Sequence, residues 1–510
     1  MKFDTETATL GFCDTVYDST AEETLETDFN LPDYCPEIKR IIRCSLKTDI
    51  SSVLKQDGKI TVQADGCLRL LYIGDNDKFA SFEQSYPIQK TFEADKINQQ
   101  CAVTVKANTD YVNCRATSPR RVDIKAMMTF VCNAVCKREE NVLSYASGSG
   151  IQALKKDFDF SDLKVVSEKS FNLTEVIELG SSKPVISRIL NSSAYILVSS
   201  KKIINNKMLL KGDCYIKTYY ISENENDIEC AEHSIPVSQI IEVEGINDSC
   251  DTNIDVNITA CESVAKVDSS GDTRLIDMNL RVSVKVFAYE SKSVSLITDA
   301  FSTECEIKNS FKHINILTNN TDFENSFVNK VVLESIGVSV EKIKAVWCDE
   351  LKYSTSLKNN VCMINGNYQA NIIYIDSEKQ TGIIRKPVDF EYKADLKTPA
   401  SGIICRSSLQ LCACSCSASG ESKLELKTEM MITGKIFSTE TVRYISEIDL
   451  SDKAGEFDGK CALTIYFCDA NEKVWDIAKR YKTTAEAILN ENELDSDLIS
   501  ERKILLIPCE

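Results

Sequence analysis

A chain of 510 residues is longer than a single core usually grows, so three or four domains are expected. Apolar residues at 43% and charged residues at 27% are globular proportions and argue against a disordered chain. The net charge of -18, with no basic block, argues against nucleic-acid or anionic-membrane partners, which reward clustered lysine and arginine.

The N-terminus, "MKFDTETATLGFCDTVYDST", has no basic n-region followed by an apolar h-region, and no run reaches the roughly 18 apolar residues of a membrane span. A cytosolic protein without membrane insertion is therefore expected. Residues 31–44, "LPDYCPEIKRIIRC", come next. Pro36 suits the first turn of a helix, and Ile38, Ile41 and Ile42 then share one face, which predicts a short helix docked on a core.

Residues 60–73, "ITVQADGCLRLLYI", recur without a gap as "MLLKGDCYIKTYYI" (208–221) and "CMINGNYQANIIYI" (362–375). Each block has a small residue at the same place (Ala64, Gly212, Gly366) and ends on an apolar-Tyr-Ile triplet containing Tyr72, Tyr220 or Tyr374. Pro36, Pro184 and Val338 lie 28 residues before those small residues, and "LGSSKPVISRILN" (179–191) and "LESIGVSVEKIKA" (333–345) match the first head segment. The chain thus repeats a whole domain. The blocks alternate and are rich in β-branched and aromatic residues, which predicts paired strands. Residues 120–135, 273–288 and 422–437 each predict a further long strand.

Copies about 150 residues apart are too widely spaced for a solenoid and predict independent beads with their own cores. Residues 138–170, 302–330 and 451–460 have the Gly, Ser, Asn and charge of connectors, and "ASGSGIQ" (146–152) reads as flexible. The expected domains are 1–137, 171–301 and 331–450, with a small module at 461–510. The fold class is multidomain and mainly β.

No chemistry emerges along the way. Two histidines, no C-x-x-C pair and no phosphate-loop, nucleophile-elbow or zincin motif leave no catalytic or metal residue to assign and no cofactor to expect. Most of the 22 cysteines read as small buried hydrophobes, kept reduced in the cytosol. Cys412, Cys414 and Cys416 in "LCACSC" fall on one strand face by period 2, where a buried structural role is expected ahead of a soft-metal site.

The last fifty residues change pattern. "LTIYF" and "KILLIP" read as strands, Val474, Ile477, Ala478 and Tyr481 share a helical face, and "TTAEAILNEN" begins with a threonine cap, giving β-α-α-β. Trp475, Ile477-Ala478, Tyr481, Thr483-Thr484, Ile488-Leu489, Asn492, Leu494, Ile499, Leu505 and Ile507-Pro508 resemble the LysM family in order and spacing. That resemblance implies a fold for N-acetylglucosamine polymers, with a groove between the first strand-helix loop and the loop after the second helix. The candidate contact residues are Asn471, Glu472, Lys473, Val474, Trp475, Asn492, Leu494, Ile499, Glu501 and Arg502. Where the family has Gly-Asp-Thr and Pro-Gly-Gln, this chain has Asn471-Glu472-Lys473 and Glu501-Arg502-Lys503, so altered loop backbones and a charged rim are expected. Trp475 fits either the module core or a contact surface.

The three repeats resemble SPOCS domains of endospore-forming bacteria, whose hallmark begins like the string at Leu31. Tandem SPOCS repeats ending in one LysM domain resemble the make-up of spore-coat morphogenetic proteins. The resemblance implies a non-enzymatic scaffold in the mother-cell cytosol, at the forespore surface, whose LysM domain engages the sporulation coat ATPase and whose repeats gather other coat proteins. The alternative is a binder of peptidoglycan or cortex glycan.

Overall fold

The computed structural model describes residues 4–508 except 57, 77, 100, 149, 224–226, 335–336, 359–360, 396–401, 420–422 and 455–461. Six strands recur three times in one order. They are β1 (Asp4–Asn30), β2 (Ile38–Gln56), β3 (Gly58–Gly74), β4 (Phe79–Ala94), β5 (Ala102–Ala116) and β6 (Arg121–Ser147) in the first repeat. The second has β7 (Ile151–Glu178), β8 (Ile186–Ile204), β9 (Lys207–Ser222), β10 (Ile228–Glu242), β11 (Asp251–Lys266) and β12 (Leu275–Ser302). The third has β13 (Cys305–Leu333), β14 (Val340–Lys358), β15 (Val361–Asp376), β16 (Thr381–Asp395), β17 (Gly402–Ala418) and β18 (Leu424–Ala454). The terminal module follows with β19 (Leu463–Cys468), α1 (Val474–Tyr481), α2 (Ala485–Glu491) and β20 (Lys503–Pro508).

Each repeat is a sandwich of two antiparallel sheets, a meander β2-β3-β4 facing β1-β6-β5 in the first and the equivalents in the others. Inward-facing residues of both sheets make one core per repeat. The recurring block is a single central strand (β3, β9, β15) rather than a strand pair, and Tyr72, Tyr220 and Tyr374 are equivalent within it.

The head segment is not a helix. Residues 33–35 turn, and β2 follows with bulges between Ile38 and Arg40 and between Ile41 and Arg43. Bulges recur at the same places in β8 and β14. Each inserts one residue, so the core contacts fall at Ile38, Ile41, Cys44 and Leu46, and two bulged steps of three imitate helical spacing. Tyr72 explains the link from head to block, since its hydroxyl donates to the Pro36 carbonyl at 2.9 Å, as Tyr220 does to Pro184 at 3.2 Å. The small residues face a third bulge: a side chain on Gly212 or Gly366 would overlap the carbonyl oxygen of Leu197 or Lys352.

The segments expected to be linkers are strands. β6 runs to Ser147, a turn using positive φ at Gly148 and Gly150 reverses the chain, and β7 starts at Ile151; β13 likewise begins three residues after β12 ends. β1, β6, β7, β12, β13 and β18 are 27 to 31 residues long, or about 90 Å at ~3.3 Å per residue. Their outer halves form three two-stranded ribbons, which pack through Leu10, Phe160, Leu296, Ile316, Val442 and Tyr444. A second layer adds Ile151, Ile297 and Ile445. The third expected connector begins inside β18, and residues 455–461 lie outside the described residues.

The sandwiches also share a junction, so they are not separate beads. Leu71, Tyr219 and Ile373, each directly preceding its core tyrosine, meet with Leu190, Ala345 and Trp347 in one buried cluster. The Tyr219 hydroxyl donates to the Val346 carbonyl at 2.8 Å. Two residues earlier on the same face come Arg69, Lys217 and Asn371. Arg69 reaches the Leu190 carbonyl at 2.8 Å, Lys217 pairs with Glu232 at 3.0 Å, and Asn371 donates to Asp349 at 3.0 Å. The Arg43 guanidinium lies 4.6 Å from the Trp347 ring centre and 3.8 Å from Asp349, and burial lowers it to about 10.

One cysteine expectation changes. Cys101 and Cys136 form a disulfide in the first repeat, whereas a reducing cytosol predicted free thiols. Cys412, Cys414 and Cys416 are half-buried rather than buried, on β17, which is an edge strand of its sheet and bulges between Leu411 and Ala413. Among the described residues no three His, Cys, Asp or Glu side chains gather as metal ligands.

Burial, then the neighbouring Asp349 charge, raises the Glu350 carboxyl at the junction to about 7. A folded-state value above the unfolded one stabilises below the unfolded value and is lost as pH rises through about 7. Thermal unfolding at pH 5 and pH 8 should therefore show Glu350→Gln gaining stability relative to wild type only at the higher pH. Gly212→Val should cost about 1–3 kcal/mol by denaturant titration, because the added methyls meet a backbone carbonyl that cannot move without unbending β8.

Candidate functional site

The terminal module pairs β19 with β20 antiparallel and lays both helices on one face. Cys468, Val474, Ile477, Ala478, Ile488, Ile499, Leu505 and Ile507 are buried between them. Thr484 caps α2 by accepting from the Ala487 amide at 3.1 Å. α1 has no side-chain cap from Lys473, which stands in an isolated bridge with Leu498. Asp497 supplies the cap instead: its carbonyl accepts from the Val474 amide and its carboxylate from the Trp475 amide, both at 2.8 Å. Sequence reasoning missed Asp497, because it caps the helix from 22 residues away.

The candidate contact residues divide into four groups. Val474 and Ile499 are core, Leu494 packs against that core, and Asn492 is a staple whose amide donates to Ile488 and Leu506 carbonyls and accepts from the Leu506 amide at 2.7–2.8 Å. Asn471, Glu472 and Lys473 form the first loop. Asn471 sits at φ 71°, the left-handed turn that glycine would take and that asparagine tolerates, so loss of the family glycine here leaves the backbone shape available. The Glu472 carboxylate accepts from the Tyr466 hydroxyl at 2.9 Å and the Asp469 amide at 3.0 Å, tying the loop to the sheet. Glu501 is exposed on the opposite loop, and Arg502 forms an exposed ion pair with Asp469 at 2.7 Å at the end of the β19–β20 ladder.

Trp475 belongs to neither loop surface. Its ring is buried edge-on against Phe301 at 5.0 Å, and its Nε1 donates to Asp299 Oδ2 at 2.9 Å. Lys479 donates to both Asp299 oxygens at 2.7 Å, and Leu154 packs alongside. Asp299, Phe301 and Leu154 lie at the outer end of the β7–β12 ribbon, so the module is docked on the second repeat through one face of α1.

The opposite side of the module is bare. Leu463, Ile465 and Phe467 alternate along β19 away from the helices, and Ile504 stands across from Phe467. Phe467 is 75% exposed, an unusual position for a phenylalanine in a module with so small a core.

The SipL, SPOCS domain family matches residues 37–117 and 185–266, and the LysM domain family matches residues 471–508. The chain carries two SPOCS segments in tandem and a LysM domain. The two SPOCS segments cover β2 to β5 and β8 to β11, and β14 to β17 repeat that topology. No curated protein and no solved structure matches the chain. The domain set of this SPOCS–LysM protein is that of a sporulation coat protein, built of binding and scaffold families. Among the described residues no helix is long and apolar enough to cross a membrane.

Asp299→Ala removes the shared acceptor of Trp475 and Lys479 and should weaken docking by about 1–3 kcal/mol. In a Trp347→Phe background, Trp475 fluorescence should shift to the red while helical circular dichroism is kept.

Proposed function

We propose that this SPOCS–LysM protein is a non-enzymatic scaffold of endospore coat assembly, recruited through its LysM module to the coat-basement ATPase around the forespore. The repeats then serve as docking surfaces for further coat proteins, acting in the mother-cell cytosol. The observation that carries this is the exposed apolar face of Leu463, Ile465, Phe467 and Ile504, which suits a protein surface better than a polar sugar. The loops support it, since Arg502 is paired with Asp469 at the end of the β19–β20 ladder and Glu472 is already engaged. Linking one recruiting module to three scaffold sandwiches raises effective concentration for any partner that also touches the repeats.

The LysM match itself favours the second reading, a binder of peptidoglycan or cortex glycan containing N-acetylglucosamine. Full-length protein immobilised on a biosensor separates the two. Ile465→Asp with Phe467→Asp should weaken capture of the coat ATPase at least tenfold with the melting temperature unchanged, while N-acetylglucosamine oligomers give little signal with either protein. Tight oligomer binding by the wild type, with indifference to the ATPase, would make the glycan reading the right one.

A further inference from the structure

The junction of the three sandwiches is not completely filled. It holds a cavity of about 10 Å³, room for one water or one monatomic ion and for nothing polyatomic. The first sandwich contributes Arg43, Ser45, Arg69 and Ser81 to its wall, the second Leu190, and the third Trp347 and Ile373.

The wall carries donors that the chain itself does not satisfy. Arg43 Nε and Arg69 Nε are buried and have no hydrogen-bond acceptor among the described residues. The nearby carboxylates do not supply one. Asp349 is 3.8 Å from Arg43, and its two oxygens already accept from Asn371 Nδ2 at 3.0 Å and Trp347 Nε1 at 3.2 Å. Glu83 is an ion-pair partner of Arg69, 2.6 Å from Nε, but lies out of line with the N–H. Ser81 is buried, and its hydroxyl accepts from Arg188 at 3.3 Å, which leaves its own proton to give.

Charge is out of balance in the same direction. Lys217 is matched by Glu232, and Lys344 by Asp227. Around the cavity the guanidinium groups of Arg43, Arg69, Arg188 and Arg385 face Asp349, Glu83 and Glu350, so one positive charge is left over. Arg43 registers that excess: burial lowers its guanidinium, and Arg385 and Arg69 push it further down against Asp349. A water in the cavity would meet three donors and, the serine oxygens apart, no side-chain acceptor for its own protons. A monatomic anion accepts from all three and supplies the missing charge.

We infer that this cavity is a halide site, which holds one chloride ion by hydrogen bonds from Arg43 Nε, Arg69 Nε and the Ser81 hydroxyl. Its wall is assembled from all three sandwiches, so the ion favours the closed junction and stabilises the folded chain as its occupancy rises. Phosphate and sulfate are too large for it.

The test uses full-length protein carrying Trp475→Phe, in which Trp347 is the one tryptophan left. Trp347 is 3% exposed, so a dissolved quencher reaches it poorly, whereas bromide seated in the cavity lies beside it. Sodium bromide is titrated in place of sodium gluconate at constant ionic strength. Quenching should reach a plateau in the millimolar range, chloride should reverse it and sulfate should not. The melting temperature of the wild-type chain should rise by a few degrees when chloride replaces gluconate. Arg69→Gln should lose both the plateau and the chloride-dependent rise. Quenching that climbs linearly without a plateau, a plateau that chloride leaves in place, or a melting temperature blind to chloride would mean that the cavity holds water only, and would overturn the proposal. The bromide titration and its reversal by chloride decide the matter even where Arg69→Gln folds poorly.

Discussion

A central strand buried on both faces, with alternate residues assigned to different cores, is the constraint on which the rest of this molecule rests. In β3, β9 and β15 the tyrosine of the recurring triplet points into its own sandwich, and the residue before it points into the junction of all three. A strand cannot satisfy both without strict period 2, so a one-residue slip in any central strand would put Leu71, Tyr219 or Ile373 into the wrong core. Bulges in β2, β8 and β14 take up the curvature this demands, which is why the pairing irregularities lie in the meander's outer strand and the central strand stays regular against its other neighbour. The junction, in turn, aligns the long hairpins so that their outer halves meet as a bundle of ribbons.

That bundle gives the LysM module somewhere to sit. The module's helical face is used against Asp299, Phe301 and Leu154, leaving the two-stranded sheet and the paired loops outward. The outward sheet of the module stands at the far end of a ribbon about 40–50 Å beyond the sandwich cores, since half of a ~28-residue strand has that reach. The tryptophan that sequence alone left between core and contact surface is placed by tertiary contact, with its indole N–H matched to a carboxylate 176 residues earlier.

Where the sequence misled, it did so through patterns that two structures share. Ile38, Ile41 and Ile42 carry helical spacing, yet bulges in a strand give the same three-residue step, and no property of one residue tells them apart. Residues 138–170 and 302–330 have the polarity of linkers because a two-stranded ribbon buries only one stripe, against other ribbons that are hundreds of residues away in sequence. The family glycine missing at Asn471 is a milder case, because asparagine adopts the left-handed turn that the loop requires.

The sequence by itself determined the threefold repetition, the β character of each copy, the equivalence of Tyr72, Tyr220 and Tyr374, and the β-α-α-β order of the last fifty residues with Thr484 as a cap. These depend on periodicity, turn chemistry and neighbours within a few residues, all of which are written locally. Only the tertiary structure decided that the copies share a junction, that their long strands become one bundle, that Asp497 caps α1 and that Trp475 closes on Asp299. Each of those depends on which distant surfaces are brought together, and the free energy of burying apolar area is set by the partner surface as much as by the residue that is buried.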